Sequence, residues 1–249
     1  MNRNGQSPPP RLVVGMTGAT GVIYGIRLLE MLREASIETH LVMSTWAERT
    51  MVAETAWRPD EVRQLADFAY DEHDRSAPLA TGTFQTYGMV VAPCSMKSLA
   101  FIANGIPESL IHRAAEIHLK EGRKLLLVVR ESPLSVIHLE NMLKAARAGA
   151  MIVPPVPAFY ARPGSIEEMV DHTVGRLLDH FGIGHDLVRR WGELHGSGVR
   201  ATLGTTRDTR PDQPELIEEE PDGSVEHGLG GVATGAGRRR QDDRPRNAR

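Results

Sequence analysis

The chain has 249 residues, 41% hydrophobic and 24% charged, with a formal net charge of -3. That is enough for one substantial core, and the near balance of charge gives no electrostatic case for nucleic acid or an anionic membrane as partner. The single cysteine, Cys94, excludes an internal disulfide and any multi-cysteine metal site, and the 10 histidines show no ligand spacing, so no metal is expected.

Residues 1–10 are polar and proline-bearing and read as a flexible N-terminus without the apolar core of a signal peptide. No later stretch approaches the roughly 18 apolar residues that span a bilayer, and a cytoplasmic protein is expected. From Arg11 to about Gly182 short apolar runs alternate with helical periodicity. The predicted fold is a single-domain, open parallel-sheet α/β sandwich, Rossmann-like or flavodoxin-like, spanning 11–195.

The first predicted strand, Leu12 to Met16, runs into Thr17-Gly18-Ala19-Thr20-Gly21. A strand feeding a glycine turn aims the first free N–H groups of the next helix at one point, where the dipole also favours an anion. The same turn can serve only close packing. It also suits the Thr-Gly-x-x-Gly-x-x-Gly turn of dinucleotide reductases, except that Tyr24 stands at the third glycine and Gly25 follows it. Ile26, Leu29 and Leu32 mark the inward side of the helix that follows.

A second strand, Glu38 to Met43, ends in Ser44-Thr45, where a nicotinamide reductase needs a ribose-binding acid. A third, Met89 to Ala92, is expected to stop at Pro93, with Ser95 and Ser98 at the start of a helix. Ser95 is a phosphate ligand or only an N-cap; Lys97 is a phosphate ligand, a solvated charge or an interface residue. Cys94 has no base nearby in sequence and reads as packing.

On a helix from Leu110 to Glu121, Arg113 and Lys120 lie two turns apart on one face, either a phosphate-binding pair or two solvated cations. Strand Lys124 to Val129 runs directly into Arg130-Glu131-Ser132-Pro133-Leu134, which puts a cation and a carboxylate at the carboxyl end of a strand. The segment Ser135 to Ala148 is a predicted helix whose stripe Ile137, Leu139, Met142 and Leu143 is assigned to the core. After strand Met151 to Val153, the stiff Pro154-Pro155-Val156-Pro157 fixes the position of Tyr160 and Arg162. Ser165 and Glu168 read as a capping box opening a helix to about Phe181, with Met169, Val170, Val174, Leu177 and Leu178 inward and Arg176 upon it. From about Ser197 large apolar residues nearly vanish, and 196–249 reads as a disordered tail.

These segments, taken in order, resemble the UbiX-like flavin prenyltransferases across Arg11 to Glu193. The motifs are Met16-Thr17-Gly18-Ala19-Thr20-Gly21, Ala92-Pro93-Cys94-Ser95-Met96-Lys97-Ser98, Arg130-Glu131-Ser132-Pro133-Leu134, Ile137-His138-Leu139-Glu140-Asn141-Met142, Ala158-Phe159-Tyr160 and Arg190-Trp191-Gly192-Glu193. Trp46 and Ala158-Phe159-Tyr160 are closest to the branch associated with phenolic-acid decarboxylases.

The resemblance implies that reduced FMN accepts, at N5 and C6, a dimethylallyl group from dimethylallyl phosphate, without metal. The product, prenylated FMN, would serve a UbiD-like decarboxylase. It further implies flavin contacts from Gly18, Ala19, Thr20, Ser44, Ser95, Met96, Lys97, Ser98 and Arg130. Arg113, Lys120, Tyr160 and Arg176 would hold the allylic phosphate, Thr20, Glu54, Lys120 and Glu131 would act at the reacting centre, and the assembly would be a homododecamer with pockets at subunit contacts. Thr20 stands where the family usually has serine. Two other functions compete: a non-catalytic FMN-binding accessory subunit, and a nicotinamide-dependent reductase, which the absence of a Tyr-x-x-x-Lys pair disfavours.

Overall fold

The computed structural model describes residues 10–188. The Arg190-Trp191-Gly192-Glu193 motif, the 196–249 segment and nearly all of the expected N-terminal segment lie outside the described residues. Six parallel strands form one sheet in the order β3-β2-β1-β4-β5-β6. They are β1 (Arg11–Met16), β2 (Glu38–Met43), β3 (Phe68–Tyr70), β4 (Gly88–Cys94), β5 (Lys124–Val129) and β6 (Met151–Ile152). The central strands are nearly continuous apolar runs because helices cover both faces of the sheet.

Alternate residues of each strand enter different cores. Leu12, Val14, Leu41, Val90 and Leu126 pack beneath α1 (Val22–Glu34), α2 (Thr45–Glu54), α3 (Pro59–Arg63) and α7 (Ile166–Phe181). Val13, Val42, Met89, Val91 and Leu127 pack beneath α4 (Met96–Ala103), α5 (Leu110–Lys120) and the single buried residue of α6 (Val136–Arg147), Ala145. Serine begins five of these helices, and at four of them the hydroxyls of Ser44, Ser95, Ser135 and Ser165 accept the N–H of Ala47, Ser98, His138 and Glu168. Each such cap contributes about 1 kcal/mol. The order of strands reverses between β1 and β4, which opens a crevice at their carboxyl ends.

Four expectations need correction. Pro93 does not stop its strand: β4 continues to Cys94, which pairs with Val129 after a register shift. Because proline has no N–H to give, the ladder bulges there instead of ending. Three of the four α6 stripe residues are not core in one protomer, with Ile137 68% exposed, Leu139 50% and Leu143 51%, while Met142 packs half-buried against the core. β6 is only two residues long, and α6 leans on α4 at the sheet edge with most of its apolar face turned outward. At Ser165 only half of the capping box forms, since the Glu168 carboxylate accepts the N–H of Gly164 rather than that of Ser165. The edge strand β3 was not anticipated.

Candidate active site

A cavity of about 420 Å³ lies at the crevice between β1 and β4. The glycine turn supplies Thr17 and Gly18, the β2–α2 turn Ser44, Thr45 and Trp46, and the start of α4 Ser95, Lys97 and Ser98. Its far wall is Glu72 with Glu108, Ser109 and His112. Thus two serine-capped helix starts and the glycine turn face one volume. Hydroxyls, N–H dipoles and one lysine converge there, the donor set that suits an anionic, hydroxyl-bearing ligand.

The turns are held rigidly. The Thr17 hydroxyl donates to the Pro93 carbonyl at 2.8 Å and accepts the Ser95 N–H at 2.8 Å. Thr45 donates its N–H and its hydroxyl to the Glu72 carboxylate, both at 2.7 Å, fixing the first turn of α2. Gly18 is required by close approach: a Cβ there would stand 2.3 Å from the Cβ of Trp46. The Trp46 ring carries the Arg49 guanidinium at 4.9 Å from its centroid.

His112 is 6% exposed, and its Nδ1 lies 3.3 Å from the Ser109 N–H, which donates to it. Neutral imidazole that accepts at Nδ1 carries its proton at Nε2, and Nε2 has no partner among the described residues. Burial, with Lys97 adding to the effect, pushes the His112 pKa down to about 4, so it is neutral near pH 7. Burial pushes the Cys94 thiol up to about 12, which removes the thiolate and with it any nucleophilic role.

The other expected site residues are spread around this cavity. The Glu54 carboxylate, from the end of α2, accepts the Gly21 N–H at 2.8 Å and so sits at the start of α1. Arg130 is exposed past β5, its N–H donating to the Cys94 carbonyl at 3.3 Å, and Glu131 beside it accepts the Ser132 N–H at 2.9 Å. Arg113 lines a neighbouring hollow of about 330 Å³ with Arg75, and Ser109 borders both volumes.

Lys120 does share the Arg113 side of α5. Arg113 donates to the Ala80 carbonyl, and a Cβ on Gly82 would lie 3.3 Å from the Lys120 Nζ. Lys120 itself pairs with Glu121 at 2.9 Å. Tyr160, on a 3₁₀ turn at Phe159–Ala161, approaches the His172 Nε2 at 3.1 Å, and Arg176 pairs with Asp179 at 2.6 Å. Of the expected site residues Gly18, Ser44, Ser95, Lys97 and Ser98 line the 420 Å³ cavity, whereas within one protomer Ala19, Thr20, Glu54, Met96, Arg113, Lys120, Arg130, Glu131, Tyr160 and Arg176 do not. Thr17, Glu72, Ser109 and His112 were not picked out from sequence. Thr17 lay inside a quoted motif; for the other three, only the folded chain brings them to the crevice.

Among the described residues no group of His, Cys, Asp and Glu is placed to hold a metal ion, and no helix is long and apolar enough to cross a membrane.

The flavoprotein family model matches residues 1–178. The mitochondrial flavin prenyltransferase PAD1 of Saccharomyces cerevisiae is 56% identical over 193 residues, covering 77% of this chain and 80% of that protein. The crystal structure of AnUbiX (PadA1) in complex with FMN and dimethylallyl pyrophosphate matches with a TM-score of 0.73 and 53% identity, over 74% of this chain and 98% of that one. A dodecameric FMN-dependent UbiX-like decarboxylase from Escherichia coli O157:H7 matches with a TM-score of 0.71 and 53% identity, over 73% and 98%. By the family match and by identities of 56% and 55% over most of each chain, the protein belongs to the UbiX-like flavin prenyltransferases of the flavoprotein family.

Proposed function

We propose that the protein transfers a dimethylallyl group from dimethylallyl phosphate to N5 and C6 of reduced FMN, giving prenylated FMN for a UbiD-like decarboxylase. The observation that carries this reading is the convergence of the glycine turn and the capped starts of α2 and α4 on one cavity. The residues present fit FMN. Ser44, Ser95, Ser98 and Ser109 offer hydroxyls, Lys97 a cation, and the orphaned His112 Nε2–H a buried donor that lacks an acceptor.

Gly18, Ala19, Thr20, Ser44, Ser95, Met96, Lys97, Ser98 and Arg130 would hold the flavin, whose reduced ring supplies the two nucleophilic atoms. The protein's own task is charge management. Breaking the allylic carbon–oxygen bond leaves a delocalised cation and a phosphate with added negative charge. Cations and hydroxyls placed on that phosphate by Arg113, Lys120, Tyr160 and Arg176 lower the barrier. Thr20 places a hydroxyl in the glycine turn. Glu54, held at the start of α1, and Glu131 are the carboxylates available to take the proton released as the second bond forms.

Those phosphate-binding side chains lie outside the cavity of their own protomer, so the site is completed by neighbouring copies. The outward apolar surface of α6, with Val136 69% exposed and Ile137 68%, together with Phe159 at 75%, supports a homo-oligomer, and we assign it as a dodecamer on its likeness to the dodecameric UbiX-like protein of Escherichia coli O157:H7. A cytoplasmic location belongs to the same reading and rests on the lone cysteine, which fits a reducing compartment. Replacing Tyr160 with Phe or Glu131 with Gln tests the roles: turnover should fall at least tenfold while FMN stays bound. Loss of flavin binding without loss of turnover at saturating FMN would overturn them.

A further inference from the structure

We propose that Thr17 is the positioning residue that sets the two halves of the flavin site at their working distance, an inference that rests on the FMN reading above. Its side chain is 2% exposed at the floor of the cavity. The β1–β4 ladder pairs Gly15 with Val91, and the β4 register shifts between Val91 and Cys94. Beyond that point Pro93 has no N–H to give. What ties the glycine turn to the start of α4 is therefore Thr17, through its hydroxyl and its N–H, across 76 and 78 residues of sequence.

One oxygen joins three pieces of the site. Its proton goes to the Pro93 carbonyl at 2.8 Å, its lone pair takes the Ser95 N–H at 2.8 Å, and the Thr17 N–H also donates to Pro93 at 3.2 Å. Ser95 in turn accepts the Ser98 N–H at 3.2 Å and starts α4. On the other side Thr17 is followed directly by Gly18, which is packed against Trp46. With its only proton committed to Pro93, Thr17 has no donor left for a ligand and acts through Ser95 and Gly18. Removing the hydroxyl leaves the Thr17 N–H bond to Pro93 as the remaining tie, loosens the two flavin-facing segments relative to one another and leaves the Ser95 N–H without its acceptor.

The test uses the full chain with Thr17→Val, Thr17→Ala and Thr17→Ser, and FMN as the probe. Affinity is followed by quenching of flavin fluorescence, bound geometry by visible circular dichroism of the flavin, and integrity by far-ultraviolet circular dichroism at the same temperature. The expected result is a Kd for FMN raised at least tenfold in Thr17→Val and Thr17→Ala with an altered flavin signal, and a value within twofold of wild type in Thr17→Ser. In turnover, KM for FMN should rise while KM for dimethylallyl phosphate at saturating FMN stays put. A merely structural role predicts a lower Tm with unchanged Kd and flavin signal in whichever hydroxyl-free variant folds, and that result overturns the inference. Equal loss in Thr17→Ser also overturns it, because the methyl and not the hydroxyl would then matter. Wild-type protein without affinity for FMN overturns the flavin reading and this inference with it.

Discussion

His112 makes the protein lose stability in mild acid by a calculable amount. Its folded-state pKa is about 4 against an ordinary 6.5, because the ring is buried and faces Lys97, with Glu108 and Glu72 opposing weakly. As pH falls below about 6.5 the unfolded chain takes up a proton that the folded chain refuses until about 4, so the contribution is whole above 6.5 and is lost on acidification. At about 1.4 kcal/mol per pH unit over the accessible part of that window, wild type should lose about 2 kcal/mol between about pH 7.5 and pH 5 through this residue. His40 and His118 are also lowered, chiefly by burial, and add losses of the same sign. The assay is urea unfolding of FMN-free wild type and His112→Gln at both pH values and one protein concentration. The variant should start less stable at the higher pH and show a pH dependence smaller by about 2 kcal/mol. An identical pH dependence in the two proteins would refute the assignment of a neutral, buried His112.

Other consequences are equally direct. Gly18→Ala should weaken FMN binding and cost about 1–3 kcal/mol of stability, measured by titration and denaturant unfolding, because the new methyl meets the Trp46 Cβ at 2.3 Å. Cys94, buried and with its thiol pushed up to about 12, should resist iodoacetamide in the folded protein and react once urea is added. Ile137→Asp combined with Leu139→Asp should leave the protomer folded by circular dichroism but break the assembly in sedimentation velocity, with prenyl transfer falling alongside. These two side chains are 68% and 50% exposed in one protomer, so a charge there meets water until a copy docks.

Much of the architecture is written in local pattern. The runs Leu125 to Val129 and Leu12 to Met16 are too apolar for one-sided burial and announce a sheet covered on both faces. Serine before an apolar-periodic segment marks the starts of α4, α6 and α7. β3 escapes notice because three residues, two of them exposed, carry no period. The α6 error has a different cause: periodicity tells that a face is apolar, not which surface covers it, and here it is not the chain's own sheet. The cavity at the β1–β4 crevice is legible in part, at Gly18, Ser44, Ser95, Lys97 and Ser98, because glycine turns and N-caps are local signals. Its tie through Thr17 and its buried donor His112 are not, since each depends on partners that only the strand order β1-β4 brings alongside. The phosphate-holding roles of Tyr160 and Arg176 come only from the resemblance, for no spacing connects these residues to the glycine turn.

The most direct measurement is the mass of the flavin recovered after the purified protein is mixed anaerobically with reduced FMN and dimethylallyl phosphate, with the pyrophosphate run in parallel. The account predicts a flavin heavier by one five-carbon unit, formed in proportion to enzyme and competent to activate a UbiD-like decarboxylase. Recovery of bound but unmodified FMN with either donor would contradict it and leave a protein that only stores or delivers the cofactor.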